Sequence, residues 1–288
     1  MFVDEIQEIK FLYSQIGELI LYRLHCQDSS DYIKIKDNFN IVLDNLVALS
    51  NTLDIKNGTE LITLCFFLIH NGFLSEKVND YEYCSIKTDI ISHKDDEILM
   101  CAANIFSGSG CCRNTATFAK SMLDKFNIIN NLVETNSTVN ILEKEKLLYF
   151  NNKHNKRKNN ADHLINYIND DNIEYIVDIT APKMLFYNAY NQFAYPFFAD
   201  LSGDKTLAYP LFNYGYFYKE MNYDQIRTLT LEEQSEISYR VDKAVELFIK
   251  NRDLFVDFYF QNERYYHKIN SSYNRICEKE KRLGLRLM

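Results

Sequence analysis

Tryptophan is absent from this 288-residue chain, and glycine (8) and proline (3) are scarce. Asn, Ile, Lys and Tyr are frequent instead, a pattern of AT-rich coding that bears on the base composition of the gene and not on function. A surplus of positive charge is also missing. Lys and Arg number 32 against 40 Asp and Glu, a formal net charge of −8, which argues against nucleic acid as the main partner because phosphate binding needs a basic surface. The seven cysteines, at 26, 65, 84, 101, 111, 112 and 277, include no Cys-x-x-Cys pair, so no zinc site is expected. Their odd number fits free thiols in a reducing compartment. The longest apolar run, LITLCFFLI (61–69), is far too short to span a bilayer and reads as a buried helix. The opening Met1-Phe2-Val3-Asp4-Glu5 is acidic where a signal peptide carries positive charge. A cytoplasmic protein is therefore the default, with export by a non-classical route left open.

The length suits one large domain or two modest ones, and 47% hydrophobic with 25% charged residues describes a folded chain. Apolar residues recur at helical spacing over 5–24, 37–54 and 60–74, with Asn57-Gly58 punctuating the last two. DDEILMCAANIF (95–106) opens with acids suited to a helix N-terminus, so the neighbouring HKDDE (93–97) reads as a helix cap and not as a metal site. After residue 128 the texture changes. Short apolar stretches over 130–150 are compatible with strands, and NNKHNKRKNN (151–160) is a basic polar loop. DHLINYIND (162–170) and IEYIVDIT (173–180) form an expected hairpin turning at Asp170-Asp171-Asn172. Residues 183–223 are dense in aromatics and hold an internal echo, AYPFF (194–198) and AYPLF (208–212). They read as core, or as the wall of a groove for an extended peptide. Helical periodicity returns from Leu231 to about Leu283.

The stretch GSGCCRNTATFAKSMLDKF (108–126) places two of the few glycines directly before adjacent cysteines that open a helix. A helix N-terminus lowers a thiol's pKa through its unpaired N–H groups and positive dipole end. Gly108 and Gly110 would let the backbone turn sharply there. Cys112, Ala116, Ala119 and Leu123 form one stripe, and Cys111, Thr115, Phe118 and Met122 another, so periodicity does not decide which thiol reacts. The GSG lacks the third glycine of a dinucleotide fingerprint, and no Gly-Lys-Ser/Thr follows it.

A reactive thiol needs a base, and the base an orienting group. A hairpin turning near 170–172 sets His163 and Asp178 almost opposite each other, so the carboxylate would hold the imidazole and leave its other nitrogen toward the thiol. His154 competes as base, but lies in a loop without a paired acid. His70, on an apolar face, reads as a satisfied core histidine. His25, His93 and His267 read as surface residues. Cys26, Cys65, Cys84, Cys101 and Cys277 read as packing or inert thiols.

Together, Gly-x-Cys-Arg-x-x-Ala at 110–116, Asp-His-x-x-x-Tyr at 162–167 and Tyr-Ile-Val-Asp-Ile-Thr at 175–180 resemble the core of the transglutaminase-like superfamily. The resemblance covers roughly residues 100–182. It implies an α+β, papain-like/transglutaminase-like core with the nucleophile's helix packed on an antiparallel sheet. Carried over residue by residue, it makes Cys112 the nucleophile, His163 the base and Asp178 the orienter, with Cys111 at the variable position. Two departures stand out: Ile165 replaces the aromatic residue that commonly follows the histidine by two, and no side-chain oxyanion donor is identifiable. The backbone N–H of Cys112 is one candidate donor and Asn104 a second. The division implied is a helical N-terminal subdomain (1–98), a catalytic core (99–182), and an aromatic-rich segment with a helical C-terminal extension (183–288).

The expected chemistry is acyl transfer through a thioester, with no metal or organic cofactor and a peptide or protein as substrate. Hydrolysis of a peptide or protein amide leads. A transglutaminase or glutamine deamidase is the alternative, and a catalytically inactive binding scaffold the second.

Overall fold

The computed structural model describes residues 30–75, 82–83, 95–135, 163–180, 184–187, 192–195 and 230–282. The helix expected over 5–24, the basic loop 151–160 with His154, the second aromatic echo, Cys26, Cys84, His25 and His93 lie outside the described residues, as does the side chain of Cys277.

Helix α1 (Ser30–Thr52) presents Ile35, Phe39, Val42, Leu43, Leu46 and Leu49 at three- and four-residue intervals, and all are buried. Helix α2 (Gly58–His70) carries the LITLCFFLI run and is buried on every side as far as Ile69. Two groups serve its start. The Asn57 side chain accepts the Glu60 N–H at 2.8 Å, as an N-cap should. The Asp170 carboxylate, arriving from a distant strand, accepts the N–H of Gly58 at 2.8 Å and both the N–H and the hydroxyl of Thr59 at 2.9 Å. Glycine suits this approach, since a Cβ at position 58 would lie 3.1 Å from Ile168 Cγ2 and 3.2 Å from Asp170 Cγ and Ile128 Cγ2.

Helix α3 (Asp95–Ala103) starts on the expected acids and tightens into a three-ten turn, Asn104–Ser107. Gly108 ends that turn with φ 75°. Gly110 makes no such bend: strand β2 (Ser109–Gly110) runs parallel to β1 (Glu82–Tyr83), with Gly110 beside Tyr83. Helix α4 (Cys112–Lys125) follows.

Five strands then form an antiparallel meander in chain order: β3 (Ile129–Thr135), β4 (His163–Asp170), β5 (Ile173–Asp178), β6 (Met184–Tyr187) and β7 (Gln192–Tyr195). The last two fall in the aromatic segment, where no strand was expected. The β4–β5 hairpin turns on Asp171 (φ 53°) and Asn172 (φ 68°), the double left-handed conformation of a tight hairpin, which Asn and Asp tolerate.

Even positions of β4 and odd positions of β5 face the helices. Asn166 donates to the Ala116 carbonyl of α4 at 2.9 Å, and the Tyr175 hydroxyl meets Thr59 Oγ1 at 3.0 Å. Helix α4 therefore lies between β3–β4 on one side and α1, α2 and α3 on the other. This explains why both its cysteine stripes, and Thr117 besides, are buried.

The expected long C-terminal helix is broken at Asn251 (φ −109°, ψ 32°) into α5 (Leu231–Lys250) and α6 (Arg252–Arg282). Helix α6 lies along α1, joined by Asn45–Asn262 at 2.7 Å and Arg275–Asp31 at 2.9 Å. One apolar cluster runs from Ile35 to Ile276 and draws on the N-terminal, middle and C-terminal stretches alike. Aromatic rings build much of it. Phe67 lies 6.0, 5.2 and 5.1 Å from Phe73, Phe248 and Phe255, and Phe106 stacks on buried Tyr266 at 5.0 Å. The architecture is α+β, helices packed on a small antiparallel sheet. Among the described residues no helix is long and apolar enough to cross a membrane.

Candidate functional site

Cys111 is the N-cap of α4, in extended backbone conformation, and Cys112 is its first helical residue. The Cys111 N–H donates to Asn114 Oδ1 at 2.8 Å, while the Cys111 sulfur receives the Asn114 N–H in return. That reciprocal arrangement is a capping box with sulfur in place of a hydroxyl. Asn114 is itself anchored, donating from Nδ2 to the Cys101 carbonyl at 2.8 Å. The sequence signal for this was the Cys-x-x-Asn spacing at the helix start, which the reading of the stripes passed over.

The two thiols are 7% and 8% exposed, and they are hydrogen-bonded to each other. The acidity gathers on Cys111, whose pKa falls from 9.0 to about 6. The hydrogen bond from the Cys112 S–H contributes most, and the N–H groups of Arg113 and Asn114 and the Arg113 charge add to it against the cost of burial. Cys112 is pushed the other way, because it is the donor to Cys111, is buried, and lies beside that charge. The Leu164 N–H, directed at the Cys112 sulfur, opposes the rise. So the helix N-terminus does lower a thiol's pKa here, but the thiol is the cap, since its sulfur faces the open N–H groups.

The Leu164 contact brings Cys112 to the beginning of β4, whose first residue is His163, paired with Thr135 of β3. The His163 side chain lies outside the described residues. Within the hairpin, Asn166 opposes Val177 and Asp170 opposes Ile173. The same register carried one step further sets Asp178 across from Ile165, so Asp178 and His163 are diagonal and not opposite. The turn closes on residues 171 and 172, one step later than the turn at 170 and 171 that would set 163 opposite 178, and this accounts for the offset. Diagonal positions on one sheet face are about 7–8 Å apart, and the alternation of β4 and β5 assigns both positions to the face away from the helices.

Asp178 is buried, and its Oδ1 accepts the Thr180 N–H at 2.9 Å. Its charge acts on Cys112 and also on His70. His70 ends α2, hydrogen-bonds through Nε2 to the Ile179 carbonyl at 2.9 Å, and packs on Phe66 with ring centroids 4.6 Å apart. Burial lowers its pKa from 6.5 to about 4, against the opposing pull of that carbonyl and of Asp178. It is a neutral, packed histidine beside the site.

Asn104 is buried at the first position of the three-ten turn, and no hydrogen bond joins its side chain to Cys112. As the first helical residue, Cys112 has a backbone N–H without an intrahelical acceptor. Cys65 is fully buried, and burial pushes its thiol well up. His267 is more than half exposed and lies 3.9 Å from Glu263. Among the described residues no three His, Cys, Asp or Glu side chains converge as a metal site. No family model, no curated protein and no solved structure matches this chain.

Proposed function

We propose that the chain is a thiol-dependent acyl-transfer enzyme of transglutaminase-like type that hydrolyses a peptide or protein amide. The supporting observation is the meeting of the cysteine-capped start of α4 with the start of β4 and the end of β5, which carry His163 and Asp178. A thiol-bearing helix lying on an antiparallel sheet in that chain order also accords with a papain-like core.

In this reading Cys112 Sγ attacks the amide carbonyl carbon as its proton passes to His163, and the Cys112 N–H receives the developing oxyanion. The C–N bond breaks as His163 returns that proton to the departing amine, leaving a thioester on Cys112. Water then gives a proton to His163 and adds to the thioester, and the acid departs as the thiol regains its proton. Asp178 holds the imidazole and stabilises its charged form. Water is the favoured acceptor because it is always present, and among the described residues no amine-binding feature is visible; an amine acceptor would make the protein a transglutaminase.

The scaffold reading has one observation in its favour: Cys112 is nearly closed to solvent and its proton is held tightly. Reaction with p-nitrophenyl acetate separates the two. The enzyme reading expects a burst of p-nitrophenolate and an acetyl thioester mapped by mass spectrometry to Cys112, absent in Cys112→Ala and slowed in His163→Ala. Slow acetylation spread over several cysteines without a burst means a scaffold. An acetyl group confined to Cys111 overturns the residue assignment.

A further inference from the structure

The two halves of the site are joined by a hydroxyl bridge that lies outside the three named residues. Thr115, one turn into α4, is fully buried and donates from Oγ1 to the Cys112 carbonyl at 3.0 Å. Its single proton is then committed, so at the 3.1 Å contact between Thr115 Oγ1 and Thr180 Oγ1 the Thr180 hydroxyl is the donor. Thr180, 6% exposed, also donates its N–H to Asp178 Oδ1 at 2.9 Å. Between them the Ile179 carbonyl is bonded to His70 Nε2 at 2.9 Å. A directed chain thus runs from Thr180 through Thr115 to the backbone of Cys112, while Thr180 holds the Asp178 carboxylate.

We infer that Thr115 and Thr180 are positioning residues, a clamp that sets the distance between the Cys112 helix and the Asp178 strand end. The clamp rests on the acyl-transfer reading for its purpose, although its geometry stands without it. Strand pairing reaches only as far as Asp178 opposite Leu185. Beyond that point Ile179 and Thr180 are held by His70 and Thr115. A methyl in place of either hydroxyl keeps the volume and removes the bridge. Misplacement by about 1 Å at a reacting centre can cost on the order of 100-fold in rate.

The test uses Thr115→Val, Thr180→Val, the double variant, and the two Thr→Ser variants. Each valine variant should lower the acetylation burst rate by about 10–100-fold. The double variant should lose no more than the worse single one, because the pair acts as a unit. Serine should restore the rate to within about threefold, keeping the hydroxyl that bonds here. Independently of activity, amide exchange at position 180 should quicken at least tenfold in Thr115→Val while Ile168 in the core stays protected. Unchanged exchange at 180 in a folded valine variant overturns the clamp. So does a wild-type burst rate in both valine variants. A wild type without any burst at Cys112 sinks the acyl-transfer reading instead, and amide exchange still decides the clamp.

Discussion

Alkylation of Cys111 by iodoacetamide should barely depend on pH between 8 and 6.5. A thiol lowered from 9.0 to about 6 prefers the thiolate by about 4 kcal/mol more than an ordinary one. At pH 7 roughly nine-tenths of it is ionised, against roughly one-hundredth of an unperturbed thiol. Intrinsic nucleophilicity falls with pKa, with a Brønsted coefficient of about 0.4–0.5, which removes roughly 20-fold of that roughly 90-fold gain. The net advantage in rate is only about fivefold, and burial can hide it. The shape of the profile is the safer reading, because restricted access scales every point equally. From pH 8 to 6.5 the Cys111 rate should drop by about a quarter, where an ordinary thiol loses about 30-fold. Cys112→Ala removes the largest cause, the sulfur–sulfur hydrogen bond, and should move the profile to higher pH. Peptide mapping after short alkylation pulses gives both curves. A tenfold fall per pH unit at wild-type Cys111, or a profile indifferent to Cys112→Ala, refutes the shared-proton account.

The same pair should make stability pH-dependent in opposite directions on either side of 9. Cys111, lowered on folding, contributes stability that is present above 9.0 and lost as pH falls through about 6; Cys112, raised, contributes stability that is full below 9.0 and lost above it. Urea midpoints should therefore climb from pH 6 toward 9, and the climb should flatten in Cys111→Ala. His70 gives an acid limb of its own: lowered from 6.5 to about 4, it contributes roughly 3 kcal/mol at neutral pH that is lost between pH 6.5 and 4. His70→Phe should lack that limb in an acid titration of stability, and an unchanged limb would assign it to other groups. Asp170 accepts from Gly58, Thr59 and, at 3.0 Å, Arg240 of α5, with its own side chain only 4% exposed. Asp170→Ala leaves those donors unmatched and should cost about 3–5 kcal/mol in urea unfolding. A loss under 1 kcal/mol would show that water replaces the carboxylate.

Much of the helical scaffold is readable from periodicity, because α1 and α5 each bury definite faces and so keep apolar residues at three- and four-residue spacing. Asn251 breaks the C-terminal helix without a glycine or proline to mark it. Strands β6 and β7 escape notice because the residues of 183–198 run apolar or aromatic without alternation, broken only by Lys183, Asn188, Asn191 and Gln192, and a run of that kind carries no strand period. The β4–β5 hairpin is plain from its Asp-Asn turn, yet its register is not. One residue of turn placement shifts cross-strand partners by two, and that moves Asp178 from His163 to Ile165.

The choice between the two cysteines is the case where sequence reasoning had least to work with. A helix exposed on one side announces its inner stripe, but α4 has the sheet on one side and three helices on the other, so both stripes are buried. What separates the thiols is which N–H groups each sulfur faces: Cys111 sulfur receives Arg113 and Asn114 from its own helix, and Cys112 sulfur receives Leu164 from the strand beside His163. The first arrangement makes an anion, and the second puts a sulfur where a base and an acyl group could reach it. Acidity and position therefore fall on different residues. Because Cys112 holds its proton as the donor to Cys111, attack from that sulfur requires a base such as His163 to take the proton, as in the proposed mechanism.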